Sequence, residues 1–185
     1  MKLKKYPSIG VCGLDCGLCP RHYTDGPSKC PGCDGIDFQL KHPSCSFITC
    51  CVKKKGLEVC GECAEFPCLK IKRSDEYDKV PDSSSYPTYK KVLPNLIFIK
   101  ENGIEKFMEQ QMKRIEILEK MLENYDDGRS RSFFCRAANT MDISILEHSL
   151  EQAESIIKKE NIEPEDKKSR AKILKTIVRD DEIKE

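Results

Sequence analysis

Twelve cysteines stand among the 185 residues, and eleven of them fall between Cys12 and Cys68. They are spaced as Cys12-x3-Cys16-x2-Cys19, Cys30-x2-Cys33, Cys45-x4-Cys50-Cys51 and Cys60-x2-Cys63-x4-Cys68. A C-x2-C pair lets both sulfurs of a tight turn face one ion, at about 2.3 Å for zinc, while small residues between them leave backbone N–H groups free to bond the thiolates. Cys30-Pro31-Gly32-Cys33 and Cys60-Gly61-Glu62-Cys63 carry such fillers. Structural zinc takes four ligands, so two ions need eight of the eleven clustered thiols and leave three over. Pair chemistry puts Cys16, Cys19, Cys30, Cys33, Cys60 and Cys63 first, with Cys12, Cys45, Cys50 and Cys68 competing for the remaining places. Cys51 ranks last, because adjacent cysteines seldom ligate one ion comfortably. Which pair shares which ion is left open by the spacing.

Three other readings compete for the same residues. Cys12-x3-Cys16-x2-Cys19 has the spacing by which radical S-adenosylmethionine enzymes hold a four-iron cluster. Those enzymes need strands alternating with helices after the motif, whereas here more cysteines and then helices follow. An iron–sulfur cluster of another kind, or the thiols themselves, would make a redox protein that carries electrons or senses oxidants. Eleven reduced thiols binding nothing is the blandest account, and their density argues against it. A closed shell of four thiolates leaves no place for water or substrate, so zinc here is expected to serve architecture, and the chain to act as a binding or regulatory module rather than an enzyme.

Compartment and charge narrow the partners. The opening MKLKKYPSIG has no apolar core of the signal-peptide kind, and no stretch of about 18 apolar residues offers a membrane span. A cytoplasmic protein is therefore expected, where paired thiols bind metal more readily than they persist as disulfides. Residues 1–72 carry 11 Lys or Arg against 7 Asp or Glu, a net +4, and the remainder 21 against 24, a net −3. Eight thiolates around two divalent zinc ions cancel that +4, which with the shortage of aromatics argues against nucleic acid as partner. A protein or a small anionic ligand remains.

The elements that would position these thiols change character along the chain. Gly, Pro and Cys favour turns before Arg73, and the scarcity of large apolar residues there means that a cross-link must offset the chain entropy. A cysteine-rich metal-binding module is expected over 1–73, a linker or surface loop over 74–93, and a helical region over 94–185. Ile104, Phe107, Met108, Gln111, Ile115, Leu118, Leu122 and Tyr125 recur at helical spacing with one polar interruption, between Asn102-Gly103 and Asp126-Asp127-Gly128. A short apolar helix over Phe133–Ala138, a helix capped by Asp142 and a last one with Pro164 in its first turn complete a mainly α fold.

The strings CGLDCGLCP (Cys12 to Pro20), CPGC (Cys30 to Cys33) and KGLEVCGECAEFPC (Lys55 to Cys68) resemble a bacterial and archaeal family catalogued as a domain of unknown function, number thirty-seven ninety-five in that series. YDDGRSRSFFCRAA (Tyr125 to Ala138) and DKKSRAKILK (Asp166 to Lys175) resemble that family's C-terminal part. The resemblance implies zinc binding and a ligand pattern of Cys12, Cys16, Cys19, Cys30, Cys33, Cys45, Cys50, Cys60, Cys63 and Cys68. Cys51 stands where a small apolar residue is expected, and no reaction is implied.

Two further features invite chemistry. Arg129 and Arg131 with Ser132, ahead of a short helix, could hold a phosphate or carboxylate; the plainer account is a Ser132 cap and solvated or paired arginines. Cys135, apart from the cluster and between Phe134 and Arg136, is expected to be a buried inert thiol.

Overall fold

Turn-forming residues in the first third give a backbone made of short turns. The computed structural model describes residues 4–42, 44–72 and 89–182. Within the cysteine-rich region it holds single 3-10 turns at Cys16–Leu18, Pro20–His22, Gly26–Ser28 and Cys60–Glu62. Two one-turn α-helices, α1 (Phe38–Lys41) and α2 (Leu69–Lys72), flank a π-helical stretch, Ile48–Lys54. The helices that follow are α3 (Val92–Asn102), α4 (Ile104–Tyr125), α5 (Arg131–Thr140), α6 (Ile143–Lys159) and α7 (Lys167–Glu182). Among the described residues there is no strand, and the protein is mainly helical with a loop-rich, cysteine-rich N-terminal region. The expected linker at 74–93 lies, as far as residue 88, outside the described residues; from Tyr89 the chain is helical.

The chain divides into two compact units, Met1–Gln111 and Met112–Glu185. In the first, Ile9 and Val59 from the loops and Ile71 of α2 join Leu96 and Ile99 of α3 and Ile104, Phe107 and Met108 of α4 in one apolar cluster. Pro94 falls within the first turn of α3, where a missing N–H costs no helical bond. α3 ends at Asn102, and Gly103, at φ +86°, breaks the backbone before α4 begins.

Two glycines let α3 lie against the cysteine loops. A Cβ on Gly13, whose φ is +98°, would sit 2.5 Å from the Val92 carbonyl oxygen and 2.8 Å from Leu96 Cγ. A Cβ on Gly61 would sit 2.6 Å from the Leu96 carbonyl oxygen. No side chain fits at either place.

In the second unit, α6 and α7 pack along one another, with α5 against α6. The helical pattern places Ile143, Leu146, Leu150, Ala153 and Ile157 on one face of α6 and Ala171, Leu174 and Val178 on α7; all are buried except Ile143 and Leu150, which are half-buried. The later part of the α4 stripe is centred elsewhere than its spacing suggests: Ile117 and Met121 are buried beside Leu118 and Tyr125, and Ile115 and Leu122 are only half-buried. Pro164 precedes α7 in a turn, and the cap is Asp166, whose Oδ1 accepts the Ser169 N–H at 3.1 Å. Arg114 donates to the carbonyls of Ala138 and Met141 at 2.8 and 2.7 Å, satisfying acceptors at the end of α5.

Candidate functional site

Two of the three C-x2-C pairs form the same local structure. In Cys16–Cys19 and Cys60–Cys63 the first residue's carbonyl accepts the last one's N–H, at 3.3 and 3.1 Å, closing a 3-10 turn with a buried glycine at its second position. Long-range backbone bonds set these turns in place: Cys60 N–H to Val11 O at 2.9 Å, Cys33 N–H to Pro7 O at 2.8 Å, and Cys30 N–H to Arg21 O at 2.8 Å. The Val11 N–H donates to Cys33 Sγ at 3.4 Å. Glu62 fixes the strand of chain ahead of its turn by accepting the Glu58 and Val59 N–H groups at 2.8 and 3.1 Å.

The sulfurs fall into two neighbourhoods. Cys16 is half-buried among Cys33, Cys12, Cys19 and Cys30; desolvation of its sulfur first, and then the charges of those neighbours, push its thiol well above the ordinary range. Burial likewise raises Cys12 and Cys19 and pushes Cys33 up to about 12. Cys30 Sγ lies 3.3 Å from His42 Nε2, and the His42 ring stacks on Phe38 with 4.4 Å between centroids. His22 meets the Cys30 carbonyl through Nδ1 at 3.1 Å.

The second neighbourhood surrounds a cavity of about 40 Å³ lined by Cys50, Cys51, Cys60, Cys63 and Cys68, with Lys55, Glu65 and Lys70 among the polar residues and Phe47, Phe66 and Ile71 among the apolar ones. Lys55 Nζ donates to Cys63 Sγ at 3.2 Å and to Glu65 at 2.6 Å. Cys51, placed last by its adjacency to Cys50, is buried and in side-chain contact with Cys60. A hydrogen bond between the two thiols pulls Cys51 below the usual thiol value and raises Cys60. The reason both neighbours in sequence reach one cavity is the π-helical stretch, whose wider turn sets successive side chains closer in angle than an α-helix does.

Sequence reading missed the residues that frame these sulfurs. The Lys4 side chain has no exposed surface; its Nζ donates to the Glu58 carbonyl at 2.7 Å and lies 3.9 Å from the Glu58 carboxylate. It also faces Cys12, Cys33 and Cys51 closely enough to favour their ionised forms. The buried carboxylate of Asp15, in the loop between Cys12 and Cys16, accepts from Asn95 Nδ2 at 3.0 Å and from Gln111 Nε2 at 3.1 Å. Gln111 is the polar interruption of the α4 stripe, and this bond is its physical reason. No spacing rule links Asp15 to residues 80 and 96 positions away.

The ten candidate ligands are thus placed around the two neighbourhoods, with Cys12 and Cys45 electrostatically coupled to one another beside the first. Among the described residues, no group of three or more His, Cys, Asp or Glu side chains converges closely enough to hold a metal ion as it stands. At the proposed anion-binding residues, Arg131 Nε lies 3.4 Å from Asp126, the Arg129 N–H donates to Asp127 at 3.0 Å, and Ser132 is exposed. The residue at the N-cap of α5 is Ser130, whose hydroxyl donates to Asp127. Cys135 is buried in the second unit.

No helix among the described residues is long and apolar enough to cross a membrane. No curated protein and no solved structure matches the chain. Residues 8–73, the stretch that holds all eleven clustered cysteines, match the family described as "Protein of unknown function (DUF3795)".

Proposed function

We propose that this cysteine-rich region is a zinc-binding module of a cytoplasmic protein, holding two ions through thiolates and serving as scaffold for a binding or regulatory role rather than as a catalyst. The observation that carries the reading is the crowding of buried and half-buried thiols against a buried ammonium. Lys4 has no exposed side-chain surface, and one carboxylate at 3.9 Å is a poor match for a buried cation. Thiolates beside it offset that charge once a divalent ion favours their deprotonated form.

On this reading Cys16, Cys19, Cys30 and Cys33 would hold one ion, and Cys60, Cys63 and Cys68 with Cys50 the other. Cys12 and Cys45 would stand beside the first as further thiols. The metal would supply cross-linking of loops that have little apolar surface of their own, and would draw together sulfurs that now lie near one another without converging. The Val11 N–H and the Lys55 ammonium would remain as donors to ligand sulfurs.

Metal analysis with a visible spectrum on anaerobically purified full-length protein tests the reading. Close to two zinc ions per chain in a colourless sample is the expected result, together with a lower melting temperature after chelation. Iron and a brown sample would replace zinc with an iron–sulfur cluster. Protein that carries no metal and melts identically with and without chelator would end both.

A further inference from the structure

The cavity beside the π-helical stretch holds one thiol more than a tetrahedral site takes, and the surplus is not placed at random. Cys51 is 2% exposed, packs with Cys33, Ile48 and Val11, and meets Cys60 side chain to side chain. Cys60 is less buried than Cys51 and lines the same cavity. Its other near sulfur in sequence, Cys63 Sγ, is engaged by Lys55 at 3.2 Å. The cavity volume of about 40 Å³ exceeds the roughly 10–15 Å³ that admits a water molecule, so a small oxidant fits beside the pair.

We propose that Cys51 and Cys60 form an oxidation site for hydroperoxides, in which one thiol of the pair attacks and its partner resolves to close an intramolecular disulfide. The attacking thiolate takes one peroxide oxygen, the O–O bond breaks, and the other oxygen leaves as hydroxide or alkoxide, giving a sulfenic acid on that cysteine. The partner thiolate then attacks that sulfur, the S–O bond breaks, and water leaves after protonation. Two thiols lose two electrons and two protons in total, and the hydroperoxide is reduced to water plus water or alcohol. In a reducing compartment such a bond is transient, which suits a signal better than a staple.

The disulfide does not depend on a bound metal. Loss of an ion on oxidation does, and that part rests on the zinc reading, because Cys60 would be one of the ligands.

The experiment treats full-length protein, reduced and with its zinc content measured beforehand, with one equivalent of hydrogen peroxide, and maps the product by peptide mass spectrometry while a chromophoric chelator reports released zinc. The expected product joins Cys51 to Cys60 before any other pair. Zinc leaves in step with it, and Cys51→Ala abolishes that product and slows zinc release by about tenfold or more, because the partner thiol is gone. Cys135→Ala, in the second unit, leaves the Cys51–Cys60 product intact. Mapping on the unmodified chain decides the matter even if a variant misfolds. Oxidation that joins Cys60 to Cys63 or Cys68, or that leaves Cys51 reduced while other thiols react, overturns the proposal. A protein with no zinc at the outset but with the Cys51–Cys60 bond formed would refute the metal reading and leave this one standing.

Discussion

Replacing Gly13 by alanine should separate two costs that usually arrive together. The first is conformational, since a φ of +98° is one that an L-residue adopts only with strain, about 1–3 kcal/mol. The second is spatial, since the new methyl would stand 2.5 Å from the Val92 carbonyl oxygen and 2.8 Å from Leu96 Cγ, neither of which is the free end of a long side chain. Overpacking of a fitted interior costs a further 1–3 kcal/mol or so, and relief would require α3 to move off the loops. The sum is about 2–6 kcal/mol, a large share of the roughly 5–15 kcal/mol that holds a domain folded. Gly26 provides the control: its φ is +75°, and a Cβ there meets nothing within 4 Å. Gly26→Ala should therefore show the conformational cost alone. Denaturant unfolding of both variants, followed by far-ultraviolet circular dichroism at fixed zinc, measures the difference. Equal midpoints for the two would refute the idea that close approach of α3 to the Cys12–Cys16 loop is what requires glycine at position 13.

Two further predictions concern polar groups. Asp15→Ala leaves the Gln111 amide, 3% exposed, without its carboxylate acceptor and should cost about 1–3 kcal/mol, read as a lower denaturation midpoint. Asp127 is held below its usual value chiefly by the Ser130 hydroxyl, helped by the Arg129 N–H and by Lys175. A depressed carboxylate stabilises the fold above its unfolded pKa of about 3.9 and loses that contribution as pH falls through the lower folded value. Ser130→Ala should accordingly raise the Asp127 pKa in a carboxyl-carbon NMR titration; an unchanged titration would show that the hydroxyl is not its main stabiliser.

Much of the helical half could be read directly because its signals are local. Asn102-Gly103 and Asp126-Asp127-Gly128 mark the ends of α4 through positive-φ glycines, and Leu146, Ala153 and Ile157 follow from one period. Pro164 misled for an equally local reason: its preference for a first turn is also satisfied in a turn ahead of a helix capped by Asp166. The cysteine region was legible as chemistry but not as geometry. C-x2-C spacing predicts a turn, and Cys16–Cys19 and Cys60–Cys63 are such turns, yet nothing in the spacing says that Cys50 and Cys51 line one cavity. That depends on a π-helical stretch, which has no simple sequence signature. Lys4 was equally hidden, since lysine at a chain's beginning ordinarily lies in solvent and is buried here by a pairing with Glu58, 54 positions away.

The lodging of α3 against the cysteine loops bears on how the chain should be cut for expression. Leu96 and Ile99 belong to the same apolar cluster as Ile9, Val59 and Ile71. A fragment ending at Arg73 would contain every residue of the family match, yet would expose Ile9, Val59 and Ile71 to water. Sticky, poorly soluble material is the expected yield of such a fragment, with or without zinc in the medium. A stop codon placed beyond Gln111 keeps the helix that the loops rest on, so the useful unit for preparation is longer than the stretch by which the domain is recognised.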